Sequence, residues 1–137
     1  MSIKAKEVIN TVVSHLQATM TFPVYRSISR PAEAAPSVAV FMGDDVEDVE
    51  SSGPGFSYRV LTINFEAYAA TPIDADLDGE LLDVRGEIES ALPHGAALGD
   101  SIEFIGPLEQ SEPAYDSTGD SSVASMRMSI QFIYIVR

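Results

Sequence analysis

FSYRVLTINFEAYA, residues 56–69, carries the longest regular alternation of apolar and polar side chains in the chain. Leu61, Ile63, Phe65 and Ala67 occupy one set of alternate positions, and threonine, asparagine and glutamate lie between them. Because successive side chains of a strand point to opposite faces of a sheet, this pattern predicts a strand with one face in a core.

A second stretch with the same alternation covers residues 123–136. If the two stretches pair antiparallel with Glu66 opposite Arg127, apolar residues also meet apolar ones, as Ile63 meets Ile130. Matched cross-strand pairs stabilise a sheet, and a shift by one residue would turn every side chain to the wrong face. The sequence therefore predicts that these two strands are neighbours in this register.

Both predicted strands are longer than a small domain can easily contain. A strand of about 14 residues spans roughly 45 Å. A compact domain of 137 residues has a diameter of only about 37 Å. We therefore expect the long strands to bulge, to bend, or to project from the domain into a partner.

The chain is strongly acidic, with 21 Asp and Glu residues against 8 Lys and Arg and a net charge of −13. Four of the basic residues fall within the first 36 positions, so the remainder carries nearly all of the negative charge. DNA-binding proteins need a basic surface to hold phosphates, and this balance argues against that class. The length predicts a single domain, residues 1–137.

No group of residues in the sequence has the pattern of a catalytic or metal-binding site. Cysteine is absent, and the two histidines, His15 and His94, are far apart in sequence. No nucleophile, phosphate-loop, dinucleotide or zinc-protease motif occurs. We expect no enzyme activity, no cofactor and no metal. The sequence also lacks the pattern of a signal peptide or a membrane span, which favours a soluble protein made in the cytoplasm.

Two amphipathic helices are predicted. In residues 3–20, Ile9, Val13 and Leu16 recur at helical spacing, with His15 at the border of the apolar face. The second helix is predicted to begin at Asp74 or Asp76, as an N-cap, and to end before Pro93 and Gly95. Its apolar stripe consists of Leu77, Leu81, Val84, Ile88, Ala91 and Leu92.

Shorter strands are predicted around the two long ones. Residues 37–42 are apolar on both faces, which is typical of a covered strand, and Val24, Tyr25 and Ile28 suit an edge strand. Another strand is predicted within residues 99–109, followed by a polar loop, QSEPAYDSTGDSS. These elements indicate an α+β fold, a mainly antiparallel sheet with two helices packed on one face and a largely polar opposite face.

A run of acidic residues follows the covered strand, in GDDVEDVESSGPGF, and glycine and proline mark a turn near its end. We predict a hairpin with a long acidic loop at its tip. The spacing lacks the ligands and central glycine of a calcium-binding EF-hand loop, so a solvated loop is favoured. Such a loop would repel nucleic acid or pair with a basic patch on a neighbour. Its acids are Asp44, Asp45, Glu47, Asp48 and Glu50.

This layout resembles the tail terminator, or tail completion, proteins of long-tailed phages, of the lambda U-protein type. The resemblance covers nearly the whole chain. Besides the first helix, it rests on PSVAVFMGDDVEDVESS, FSYRVLTINFEAYA, DADLDGELLDVRGEIE and the final YDSTGDSSVASMRMSIQFIYIVR. The proline-rich segment 22–36 departs from the family pattern, which leaves the roles of Arg26 and Arg30 open.

The resemblance implies a structural protein that forms a ring, commonly hexameric, at the head-proximal end of the virion tail. Such a ring caps the tail tube, stops its polymerisation and offers a surface to the head-completion or connector protein. DNA passes through the ring without specific binding. The protein would assemble in the host cytoplasm without contacting a membrane.

Charge complementarity between subunits suggests the residues of the ring interface. A ring uses heterologous contacts, in which one patch meets a different patch, and pairing of basic with acidic residues can supply them. The candidates are Arg26, Arg30, Arg59, Arg127 and Glu66, with the acidic loop facing the lumen or a partner. Two alternatives stay open: a head–tail connector or tail tube protein of related fold, and a small-molecule-binding α+β module.

Overall fold

The computed structural model describes residues 2–26, 36–72, 77–118 and 121–137, with side chains described for 5–26, 36–70, 77–115 and 123–137. The chain runs through the following helices and strands: α1 (Ser2–Thr19), β1 (Val24–Arg26), β2 (Ser37–Gly53), β3 (Phe56–Pro72), α2 (Leu77–Ala91), β4 (Phe104–Ile105), β5 (Glu109–Gln110), β6 (Ala114–Thr118) and β7 (Ser121–Val136).

All the described strands belong to one sheet in the order β1-β2-β3-β7-β4, and β5 and β6 pair with β7 as well. The β1–β2 pair is parallel, and every other pair is antiparallel. The prediction of an α+β fold with a mainly antiparallel sheet is therefore confirmed.

The β3–β7 ladder is the longest pairing in the sheet and has the predicted register. It runs without a shift from Ser57–Val136 to Pro72–Ser121, and Glu66 lies opposite Arg127. The pattern of the two strands excludes a shift by one residue, which would put the two apolar sets on opposite faces, and this register also places Glu66 opposite Arg127. These two strands form the centre of the sheet, to which the other strands are added.

Both helices pack on one face of this sheet, as predicted. The apolar faces of α1 and α2 meet the alternate apolar residues of β3 and β7 in one core. His15 is half-buried at the helix border, and its Nε2 donates to the carbonyl of Ala91 at 2.8 Å. The largest fully buried side chains are Tyr134, Phe65, Phe132, Leu16, Leu61, Ile63, Leu81, Ile88, Ile102, Ile105, Met126 and Ile130.

Two predicted loops are strands. Strand β2 does not stop near Met42 but continues to Gly53, because the alternating β3 offers it a partner over Asp45–Asp48 and again at Gly53. The predicted polar loop contains β6, which pairs with the beginning of β7. Polar residues suit both segments, since their described side chains are exposed or only partly buried. Polarity alone therefore did not distinguish an exposed strand from a loop.

Other predictions are confirmed in part. Val24 and Tyr25 do form an edge strand, and the predicted strand in residues 99–109 is reduced to the short β4 and the start of β5. Ile28, Asp74 and Asp76 lie outside the described residues, so the edge strand's far end and the N-cap of α2 stay predictions.

Candidate functional site

The acidic run lies on a two-stranded arm, which we define as Gly43 to Val60: the second half of β2, the turn and the first part of β3. The register shifts between Met42 and Asp45, where β2 bulges, and the arm turns at Pro54-Gly55. Gly55 has φ of 81°, in the left-handed region that the tight turn requires. The five predicted loop acids are therefore strand residues.

The arm's tip is held by side-chain hydrogen bonds. The Ser51 hydroxyl donates to the Asp48 carboxylate at 2.8 Å, and the Ser52 hydroxyl donates to the Asp48 carbonyl at 2.7 Å. The Tyr58 amide in turn donates to the Ser52 hydroxyl at 3.0 Å. Asp44, Glu47 and Glu50 are exposed around this tip. The arm thus presents its negative charge from an ordered structure.

Three strands are tied together at the base of the arm by Asp45, Arg59 and Tyr134. Arg59 Nε lies 3.2 Å from one Asp45 carboxylate oxygen, and the Tyr134 hydroxyl donates to the other at 2.7 Å. Arg59 also donates to the Asp45 carbonyl at 3.3 Å. Arg59, a predicted interface residue, is therefore engaged within its own chain, where it anchors β2 to β3.

The same cluster changes the acid–base properties of its members. Burial of Tyr134 and its hydrogen bond to Asp45 raise its pKa to about 12, against a smaller opposing effect of Arg59. Burial lowers the pKa of Arg59, but the Asp45 carboxylate and the Tyr134 hydroxyl raise it by more. At neutral pH the cluster thus holds a neutral phenol beside one ion pair.

The helix-free face of the sheet is polar in its middle, as predicted. We call this the polar band; it consists of Thr62, Asn64, Glu66, Ser125, Arg127, Ser129 and Gln131, which share a face by strand alternation and register. Arg127 Nε lies 3.8 Å from Glu66 Oε2, and Arg127 is 79% exposed. The two charges of the band therefore offset each other within the chain.

A groove of about 760 Å³ runs along the polar band towards the sheet edge. Asn64, Glu66 and Arg127 form part of its floor, and Gln110 and Tyr115 of the β5–β6 segment lie at its side. Burial and the nearby Glu66 raise the pKa of Tyr68, which also lines it. The β5–β6 segment is tied to α2, since Arg85 donates to Gln110 at 2.7 Å and Tyr115 donates to Asp78.

The helix-free face becomes apolar at the arm, which differs from the predicted polar face. The register places Val46 beside Val60, Val60 beside Ile133 and Ile133 beside Phe104. We call this row and its neighbours the apolar stripe: Val46, Phe56, Tyr58, Val60, Phe104, Ile133 and Ile135. The predicted register of β3 and β7 already places Tyr58 opposite Ile135 and Val60 opposite Ile133. These apolar pairs are the feature of the sequence from which an apolar surface could have been predicted here.

The predicted interface residues are not gathered in one place. Arg26 lies on β1, which pairs with β2 over Val38–Val40, before the arm begins. Its guanidinium is exposed and donates to the Val40 carbonyl at 3.4 Å. Arg30 lies outside the described residues. Only Glu66 with Arg127, and Arg59 with Asp45, are brought together among the described candidates.

Within the described part of the chain, no group of three or more His, Asp or Glu side chains is placed to hold a metal ion. None of the described helices has the length and apolar character needed to cross a membrane. The features that distinguish this molecule are therefore surfaces: the acidic arm, the polar band and the apolar stripe.

Comparison with solved structures shows a related fold. A chain in the virion of a native gene transfer agent particle matches with a TM-score of 0.54 and 15% sequence identity, and the match covers 89% of this chain and 91% of that chain. At this identity the likeness shows a shared fold over nearly the whole of both chains. No family model and no curated protein sequence matches this chain.

Proposed function

We propose that this protein is a structural component of a phage-like virion, and that it acts as the tail terminator. The observation that carries the proposal is the fold shared with a chain of a gene transfer agent virion over 89% of the present sequence. The sequence resemblance to tail terminators points independently to the same kind of particle. The specific place at the head-proximal end of the tail rests on that resemblance.

In this proposal the protein forms a ring, commonly a hexamer, that caps the tail tube and ends its polymerisation. One side of the ring contacts the tail tube protein, and the other contacts the head-completion or connector protein. The protein acts by assembly alone, without catalysis or a cofactor. It assembles in the host cytoplasm and remains in the virion.

The polar band suits a surface past which DNA moves. Its hydroxyl and amide groups are neutral, and Glu66 and Arg127 form a pair. A surface without net positive charge does not hold the phosphate backbone, and the chain's net charge of −13 disfavours DNA adhesion further. We therefore place this band at the lumen of the proposed ring, with DNA passing through without specific binding.

Charged residues are proposed to bridge the subunits. Arg26 and Arg127 are exposed on described strands and are the stronger candidates, together with Arg30 from the segment outside the described residues. Arg59 is the weaker candidate because its side chain is only 29% exposed, against 79% for Arg127. Reversing the charge of a bridging residue should shift the oligomer towards monomer in sedimentation. An unchanged distribution of oligomers would show that the residue does not bridge subunits.

Electron microscopy and sedimentation of the purified protein test the proposed function. A closed ring with a central hole, stable at moderate salt, is the expected result. A globular dimer without rings at any concentration or salt would contradict the proposal. Self-polymerisation into long tubes would instead favour the alternative that the protein is a tail tube protein, whose subunits must stack without limit.

The groove on the polar band supports a second candidate function, a small-molecule-binding module. Its volume of about 760 Å³ falls within the range of ligand sites. Ligand pockets are mostly apolar and enclosed, however, whereas this groove is open and includes the Glu66–Arg127 pair. A thermal-shift screen of metabolites would favour this candidate if one compound stabilised a small, ring-free oligomer.

A further inference from the structure

The apolar stripe crosses four neighbouring strands on a face that neither α1 nor α2, the two described helices, covers. Val46 is 60% exposed and Phe104 is 38% exposed, at the two ends of the main row. Four strands at about 4.8 Å spacing make the row roughly 14 Å wide. An exposed apolar patch that is rimmed by polar residues marks an interaction site rather than ordinary surface.

The surroundings of the stripe limit the chemistry of its partner. Phe56 and Tyr58 add two aromatic rings in edge-to-face contact, with centroids 5.9 Å apart. Asp48 shares this face beside Tyr58, and Glu47 and Glu50 are exposed on the same arm. A matching surface must therefore present apolar or aromatic groups together with positive charge.

Edge strand β1 has this chemistry. Tyr25 pairs with Ala39 and so lies on the helix-free face, half-exposed, and the next residue is the exposed Arg26. Tyrosine and arginine are among the residues that most often dominate binding energy at protein interfaces. Strand β1 is also at the end of the sheet order, where a neighbouring molecule can reach it.

We infer that the apolar stripe binds strand β1 of a second copy of this chain, with Tyr25 of that copy against the stripe and its Arg26 directed to the arm's acids. The contact joins two different patches, and repetition of such a contact gives the proposed ring when the rotation between neighbours closes, whereas an open rotation gives a filament. The inference deepens the proposed ring function by naming the two surfaces that meet, and it rests on that function for the identity of the partner.

Other occupants fit the stripe less well. Two stripes facing each other would bring two acidic arms together, and like charges oppose such a contact. Leu82 and Tyr115 are also exposed, but Leu82 adjoins Asp83 and Tyr115 bonds to Asp78. Among the described exposed surfaces, β1 places an aromatic ring, Tyr25, on the helix-free face and a basic group, Arg26, at the next position on the opposite face.

Crosslinking tests the contact directly, because the chain has no cysteine of its own. Val46→Cys labels the stripe, and Pro23→Cys labels the exposed approach to β1, two positions before Tyr25. A short bismaleimide should crosslink the mixture of these variants, and neither variant alone. The double variant should give a ladder that ends at the ring. Asn10→Cys, on the exposed side of α1, is the control and should not crosslink to Val46→Cys.

Crosslinking of Val46→Cys with itself would overturn the inference in favour of a two-fold contact between stripes. Rings that form without any Val46–Pro23 crosslink would overturn it too, while leaving the proposed function intact. If crosslinked dimers form but no ring appears in micrographs, the contact stands and the ring function fails. The two proposals can therefore fail separately.

A charge exchange gives an independent test. Arg26→Glu should weaken association at least 10-fold in sedimentation, and addition of Asp48→Lys in the same chain should restore most of it. Lys6→Glu makes the same charge change on α1, and it should leave association unchanged. Circular dichroism confirms that each variant is folded. Equal effects of Arg26→Glu and Lys6→Glu, or no recovery in the double variant, would contradict the proposed contact.

Discussion

Strands β2 and β3 pass through two regions of the molecule that differ in what holds them. Over Leu61–Ala69, β3 lies under both helices, and its inner side chains are fully buried. Over the arm, the same strand pairs with β2 beyond the helices, and its stability comes from hydrogen bonds, the Asp45–Arg59–Tyr134 cluster and the turn. The difference indicates that burial under the helices determines the fold, whereas the arm depends on local contacts and keeps its apolar and acidic side chains at the surface.

Truncation in the covered region should have the largest effect on the isolated subunit. Phe65 is fully buried, and Phe65→Ala should lower the free energy of unfolding by about 3–5 kcal/mol, since it leaves a cavity in the core. Val46→Ala in the arm should change it by no more than about 0.5 kcal/mol, because Val46 is exposed. Urea unfolding measures both, and similar losses for the two variants would remove the distinction.

The base of the arm offers the next test. A Cβ on Gly43 would lie 2.9 Å from the Thr62 carbonyl oxygen, which is main chain and cannot turn aside. Gly43→Ala should therefore cost about 1–3 kcal/mol of unfolding free energy. Gly86 in α2 has open space around it, and Gly86→Ala should instead stabilise by about 0.5–1 kcal/mol. A neutral Gly43→Ala would mean that the bulge relaxes freely.

The cluster under the arm predicts a dependence on alkaline pH. The pKa of Tyr134 in the folded protein is about 12, above the ordinary value of about 10 for an unfolded chain. The stabilisation is therefore complete below pH ~10 and is lost as the pH rises towards 12, where the folded state must release the proton. Tyr134→Phe should cost about 1–2 kcal/mol at neutral pH.

Chemical unfolding of wild type and Tyr134→Phe from pH 8 to 12 checks this prediction. The difference in unfolding free energy between the two proteins should shrink above pH ~10 as the wild type loses its advantage. A constant difference over that range would show that Tyr134 does not carry the alkaline dependence. The arm, rather than the core, should show the earlier loss of amide protection.

Loss of the exposed Glu66–Arg127 pair on the polar band should have the smallest effect on the free energy of unfolding. Glu66 and Arg127 are 3.8 Å apart and Arg127 is largely exposed, so Arg127→Ala should cost no more than about 0.5–1 kcal/mol. Its effect on subunit association, measured by sedimentation, can be larger if Arg127 bridges subunits. A loss of stability equal to that of Tyr134→Phe would contradict the view that this pair is a weak surface contact.

The sequence predicts the covered region better than the arm. Large apolar side chains are stable only when buried, so alternation determines which face of each strand is covered and excludes any register shifted by one residue. Such side chains include Ile63, Phe65, Ile130 and Phe132. The arm's acids and serines are solvated equally well in a loop or in a two-stranded ribbon. Their strand state depends on the pairing with β3, which is a property of the tertiary fold.

The sequence predicts the surfaces of the molecule only where it also predicts which strands pair and in which register. The register of β3 and β7 put Val60 beside Ile133, which is half of the apolar stripe. Val46 joins the stripe through β2, and Phe104 joins it through β4. The sequence does not reveal these two registers, because a bulge interrupts β2 and β4 is only two residues long. The ties between Arg85 and Gln110, and between Tyr115 and Asp78, join segments that no local pattern connects.

The β3–β7 ladder also has a consequence for the timing of synthesis. Strand β7 is translated after every other described strand, yet β3, β4, β5 and β6 all pair with it. Pairing between distant parts of a chain folds slowly, and a nascent chain without β7 leaves one edge of β3 unpaired. The described sheet is therefore completed only when β7 has left the ribosome, and the apolar stripe, part of which lies on β7, forms at that stage.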